Sequence, residues 1–373
     1  MINSLKITLS LLLPLWFLIS FQTKSMAVKN INHKIVLKHP GEDIPVEVTL
    51  VEVQDSDGLP IAYFTDVESV ICLEQVCKIV SVRIYWNNIG VYQKYELENG
   101  ATLEKYEDDL FDPEDYKKLH TILANIDSPY KEVYLDEILT VVDEHTEDID
   151  AVSGATALEL DEKDTVPGAA LTCFTLWHWV NGDIVSIIKN KTGESVSNKQ
   201  LQQFLVDENE TYFYIAIAEL QKRKNYSKEF IDTIIKRGLK DDFLLRTAFN
   251  YLKGASVENY LYAAETLFFK GSREQKLTTT RSLINTDYKV SKGYLNNFST
   301  QFSKLDYQEV SLLLELMQDK NPNSKVVIEN VLPLLSGDFI IARRAYWFLN
   351  NETLTTKQER EIKCFYKKHK DKL

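Results

Sequence analysis

The residues with the most chemistry in a short space are Asp150, Ser153, Gly154, Ala155 and Thr156, within the run Asp150-Ala151-Val152-Ser153-Gly154-Ala155-Thr156. Gly154 permits the backbone angles of a tight turn, and Ser153 and Ala155 are small enough for a phosphate to approach closely. Asp150 can accept hydrogen bonds from turn amides, or help hold a metal ion that neutralises a phosphate. Thr156 presents a hydroxyl at the end of the run. An ordinary Asp- and Gly-containing loop would read the same way. A second candidate is the C-x4-C pair Cys72 and Cys77. It suits a disulfide closing a small loop, or a redox-active pair; a metal site would need two further ligands, and none is evident nearby. Cys173 and Cys364 read as inert thiols. Trp177, His178 and Trp179 could stack on and hydrogen-bond to a planar ring, or simply form an aromatic core helix with His178 at its rim. Asp143, Glu144, Glu147, Asp148 and Asp150 could attract a hard cation, but they lack EF-hand spacing and suit a solvated acidic loop.

These residues need elements to position them. Before about residue 200 the pattern is β-like. Lys34–Lys38, Val46–Val53 and Ile79–Trp86 read as strands, and Asn87-Asn88-Ile89-Gly90 as a hairpin connection into Val91–Leu97. Asp55–Pro60 reads as a turn. Asp112 and Pro113 suit the N-cap and first position of a helix carrying Tyr116, Leu119, His120, Ile122 and Leu123 on one face. An apolar helix is expected from near Pro167–Ala170 to Val180. The polar run Asn190–Asn198 reads as an exposed connection open to proteolysis. After it, about ten helices of 10–15 residues are expected, from Glu210–Lys224 to Lys357–Lys370, suggesting stacked helical pairs or an irregular bundle.

The seven-residue run resembles the D-x-x-[ST]-G-A-[ST] motif of the FMN-binding domains found in the sodium-pumping NADH:quinone reductase and in the related Rnf complex. The resemblance implies an α+β FMN-binding-like domain in which Thr156 is joined to the FMN phosphate by a flavin transferase. Asp150, Ser153, Gly154 and Ala155 would complete the recognition motif. It also implies electron transfer outside the cytoplasm, with a redox protein as partner. In the family the motif runs straight into a covering helix; here residues 159–167 intervene. The expected architecture is therefore a signal segment over 1–27, an FMN-binding-like α+β domain over 28–195, and an all-α domain over 200–373, HEAT-like or a bundle. The alternative function is a non-catalytic scaffold that keeps the flavin-domain fold without flavin and docks partners on its helices.

Composition bounds these readings. The chain has 373 residues, 44% of them hydrophobic, which suits globular domains. Its net charge is −12, and Glu96–Asp164 alone holds 22 acidic residues against 5 lysines. That argues against a nucleic-acid binder held by phosphate contacts, since a polyanion would be repelled by this stretch. Lys6, the apolar run Ile7–Phe21 and the small residues of Ser25-Met26-Ala27 have the form of an export signal cleaved after Ala27. The expected location is periplasmic or otherwise extracytoplasmic, with membrane contact only if that segment stays attached. There is no Gly-rich phosphate loop, H-E-x-x-H or G-x-S-x-G in the chain.

Overall fold

The structure is a computed structural model, and it describes residues 28–70, 79–105, 109–138, 161 and 163–373. Five strands, β1 (Lys29–Leu37), β2 (Val46–Gln54), β3 (Pro60–Glu68), β4 (Ser81–Asn87) and β5 (Tyr92–Leu97), form an antiparallel meander in chain order. Period-two alternation gives the sheet a dry face and a wet one. Leu37, Leu50, Tyr63, Val82, Ile84 and Trp86 are buried on the dry face. On the other face, Arg83 makes a bidentate pair with Asp66 and lies over Phe64.

Helix α1 (Pro113–Ala124) and helix α2 (Ala170–Asn181) lie against each other, and α1 also contacts β5. Asp112 caps α1 as expected, with Asp115 completing a capping box. Helix α2 is apolar almost all round and accordingly buried almost all round. The indole of Trp86 donates to the Val180 carbonyl at 2.9 Å, tying α2 to the sheet.

Helix α3 (Ile184–Ser195) packs on β3 and on α5 (Glu210–Lys222), so it belongs to both parts of the chain. The remaining helices are α4 (Asn198–Val206), α6 (Lys228–Gly238), α7 (Leu245–Leu252), α8 (Val257–Lys270), α9 (Arg273–Ile284), α10 (Lys292–Ser299), α11 (Tyr307–Lys320), α12 (Lys325–Val331), α13 (Phe339–Leu349) and α14 (Thr356–His369). Serine, aspartate or threonine caps start most of them, with full capping boxes at Ser197/Gln200, Ser272/Gln275, Asp306/Glu309 and Thr355/Gln358. Each odd-numbered helix from α3 to α11 packs on the next odd-numbered one, forming a continuous row. The even-numbered helices from α4 begin at Asn198, Lys228, Val257, Lys292, Lys325 and Thr356, so the unit is about 30 residues. Side chains stitch successive units at that interval: Tyr294 to the Leu261 carbonyl at 2.8 Å, Asn297 to Glu265 at 2.9 Å, and Asn330 to Ser299 at 2.7 Å. Among the described residues, no helix is long and apolar enough to cross a membrane.

Three expectations change. Strand β3 follows the Asp55–Pro60 turn and was not expected. Helices α3 and α4 replace the predicted β-like and connecting character around residue 190. The polar run Asn190–Asn198 is not an open connection. Its Gly193 and Val196 carbonyls accept from the Arg223 guanidinium at 3.0 and 2.8 Å, and Thr192 is fully buried.

Where the sheet meets α3, Gly90 sits at φ +81°, and a Cβ there would stand 2.9 Å from Val185 Cγ1 and 3.1 Å from the Val185 carbonyl. Gly58 has φ +75° with open space around it. Gly58→Ala should cost about 1 kcal/mol, the left-handed backbone penalty alone. Gly90→Ala should cost about 2–4 kcal/mol, because steric conflict adds to that penalty. Urea denaturation of both variants measures the difference; equal losses would show that the close approach to α3 is not real.

Candidate functional site

A cleft lies between the sheet, α1, α2 and α3. It encloses about 540 Å³, a size usual for small-molecule sites. Its wall includes Tyr92, Ile126, Lys131, Trp177, His178 and Lys189. Most of its polar groups are already engaged. The Trp177 indole donates to the Asn125 carbonyl at 2.9 Å, Asn181 to the Leu123 carbonyl at 3.1 Å, and the Tyr92 hydroxyl lies 2.9 Å from His120 Nδ1. These bonds fix the aromatic rings and leave an apolar, aromatic surface with two lysines in its lining.

His178 is the exception. Its Nε2 is buried and has no hydrogen-bond partner, and the same holds for Nε1 of the adjacent Trp179. Buried polar atoms are rarely left so. His178 lies edge-on to His39, with ring centroids 5.9 Å apart, and His39 lies over Trp179 at 4.7 Å. His39 itself is saturated: Nδ1 accepts from the Gly41 amide at 3.1 Å, and Nε2 meets the Thr175 carbonyl at 3.0 Å. That pattern requires the neutral Nε2–H tautomer. Burial lowers the pKa of His39, opposed by its bond to Thr175. Burial, and then the neighbouring His39, lowers that of His178 to about 4. Both rings are therefore neutral at physiological pH.

A second polar cluster lies at the junction of sheet and helices. Glu52, fully buried, accepts from Gln54 at 2.7 Å and from the Ser195 hydroxyl at 2.9 Å, and lies 2.7 Å from His33 Nε2. The Thr192 hydroxyl donates to the Asn88 carbonyl at 2.6 Å and stands 3.0 Å from the Tyr63 hydroxyl. Tyr212 donates to Asn88 Oδ1 at 2.8 Å. This network binds two parts of the chain together, so its role is architectural.

Of the residues singled out in the sequence, Asp150, Ser153, Gly154, Ala155, Thr156, Cys72 and Cys77 lie outside the described residues, as does the acidic run 143–148. The described chain on either side of the motif is anchored in the sheet core: Ile138 is buried before it, Val166 and Ala169 after it. Tyr130, next to the cleft residue Lys131, donates to Thr165 Oγ1 at 2.7 Å. Trp86, Trp177 and Trp179 are core residues, and His178 is half-buried at the cleft. The Cys173 thiol is fully buried, and burial pushes its pKa up to about 11, so it is an unreactive core thiol. Cys364 is exposed on α14. His39, Tyr92, Lys131 and Lys189 were not singled out in the sequence, since each is an isolated residue of its type with no local motif.

No family model, curated protein or solved structure matches the chain. Among the described residues, no group of three or more His, Cys, Asp or Glu side chains is arranged to hold a metal ion.

The two lowered histidine pKa values give stability a pH dependence of definite sign. In the unfolded chain both rings protonate near pH 6.5; in the fold they resist it. Stability is therefore full above about pH 6.5 and declines as pH falls towards His178's value of about 4. His178 should account for about 2 kcal/mol of that loss after allowance for its partial exposure. Urea midpoints at pH 7 and pH 4.5 test this: His178→Phe should flatten the decline, and an unchanged decline would contradict the assignment.

Proposed function

We propose that the chain is an exported FMN-carrying electron-transfer protein, with FMN joined through its phosphate to Thr156. The helical array, read as a HEAT-like repeat, would serve as the docking surface for a redox partner. The observation that carries the reading is the match of Asp150, Ser153, Gly154, Ala155 and Thr156 to the flavinylation motif. Two structural facts support it. The chain enters and leaves the motif segment from the buried core of the sheet part, at Ile138 and Val166. The cleft beside Tyr130 and Lys131 offers what a planar ring with a phosphate requires: fixed aromatic walls at Tyr92 and Trp177 and lysines at 131 and 189.

Bound FMN would supply reversible electron transfer at its ring. The protein's own residues would attach and orient it. Attachment through a phosphodiester removes the entropy of association, so an open cleft suffices to hold the ring. His178 stays neutral down to about pH 4 and so adds no charge to the cleft wall. The −17 carried by Glu96–Asp164 surrounds the motif in sequence. It favours a partner with a basic docking face, whose association would weaken with salt.

The test is chemical. Wild type and Thr156→Val are co-expressed with a flavin transferase in an exporting host, and intact mass is measured. Wild type should gain one FMN and Thr156→Val none, with unchanged folding. An unmodified wild type, in cells where a known acceptor is flavinylated, would leave the non-catalytic scaffold reading in its place.

A further inference from the structure

A second cavity, of about 320 Å³, runs along the seam where α3 lies beside α5. Its lining mixes both signs of charge: Glu219 against Lys189 and Lys222, with Ile215 and Ala218 as an apolar wall and Tyr214 at the side. Glu219 is only 6% exposed. One of its oxygens accepts from Arg223 Nε at 2.7 Å, the contact that lets Arg223 hold the end of α3. The other, Oε2, is buried and has no hydrogen-bond partner. Lys222 Nζ is 3.9 Å from it, beyond hydrogen-bond reach, and is shared with Asn190 at 3.3 Å and Glu194 at 3.5 Å. A buried carboxylate oxygen with an ion-pair partner but no hydrogen bond is costly, and the cost is relieved when a donor arrives.

Gly193, a glycine inside helix α3 where alanine would ordinarily be favoured, lets α3 pack closely on α5 beside Glu219. A Cβ at 193 would stand 3.2 Å from Glu219 Cβ and 3.5 Å from Oε2 itself.

We propose that this seam binds a small zwitterion of the α-amino-acid class. Its ammonium group would pair with Glu219 Oε2, its carboxylate with Lys189 and Lys222, and an apolar side chain would lie on Ile215 and Ala218. A simple amine would meet two lysines, and a simple acid would meet Glu219; a zwitterion satisfies both. The site needs no bound flavin, although it shares Lys189 with the aromatic cleft, so it is tested on chain purified without flavin. Its place between the sheet part and the first helices of the array means that occupancy would stiffen that junction.

Isothermal titration of the full chain with L-leucine, N-acetyl-L-leucine and L-leucinamide tests the proposal. L-leucine should bind wild type with a Kd of roughly 0.1–1 mM. Each blocked analogue should bind at least tenfold more weakly. Glu219→Gln preserves the acceptor for Arg223 and should weaken L-leucine at least tenfold. Lys189→Met changes a half-exposed side chain and should weaken L-leucine while leaving L-leucinamide unchanged, so the test stands even if Glu219→Gln folds poorly. Absence of L-leucine binding to wild type, equal binding of the N-acetyl analogue, or an unaffected Lys189→Met would overturn the assignment.

Discussion

The rest of the molecule hangs on a buried polar seam between the sheet and the helical array. Thr192 and Ser195 on α3 reach Asn88, Tyr63 and Glu52 on the sheet, while Tyr212 on α5 reaches the same Asn88. Glu52 is fully buried, so each of its bonds offsets a large desolvation cost. Such a cluster gains little over an apolar one of equal volume, but breaking one member leaves the others unpaired. It therefore acts as a register. Only one position of α3 satisfies every group, and that position sets the gap between α2 and α3 that becomes the aromatic cleft. The approach of Gly90 to Val185 depends on the same placement.

Helix α2 is the second fixed point. Trp86, Trp177 and Asn181 donate hydrogen bonds to backbone carbonyls at 2.9, 2.9 and 3.1 Å, so its orientation is locked from both the sheet and the α1 side. Its neighbours Ile138, Val166 and Ala169 are buried in the same core. The described residues on either side of Asp150–Thr156 thus lie in the buried core. The lysines of the cleft, on α3 and beside Tyr130, lie on elements fixed by the seam. Charge is divided along the sequence: Glu96–Asp164 holds 22 acidic residues against 5 lysines, while α14 ends in Lys367, Lys368 and His369.

Much of this was legible because local rules act alone where burial is simple. Asp112 with Pro113 marks α1, and most later helices start within a residue of where their polar caps suggest, although α7 starts at Leu245, after a short 3-10 turn capped by Asp241, and several ends fall three or four residues from the expected ones. Strand β2 shows where local reading stops. Val46, Val48 and Leu50 alternate inward, and Val51 and Val53 then suggest a change of phase. The strand keeps its phase, leaving Val51 and Val53 half-buried and turning Glu52 into the core, because His33, Gln54 and Ser195 satisfy it there. One of those partners lies 143 residues away, and no window of sequence contains it. Helix α3 was hidden for the same reason. Its polar last turns look like a connection until Arg223 and Tyr63 are brought to them by the fold. The cleft shares this character, as Tyr92, Lys131, Trp177 and Lys189 come from separate elements.

The central claim is that the sheet part carries a flavin by a covalent bond. The most direct measurement is visible absorbance of the purified chain after denaturation and desalting, following export from a host that holds a flavin transferase. The account predicts flavin absorbance retained at one FMN per chain and, after proteolysis, confined to the peptide containing Asp150–Thr156. Flavin lost on denaturation, or retained on a peptide that lacks Thr156, would contradict it.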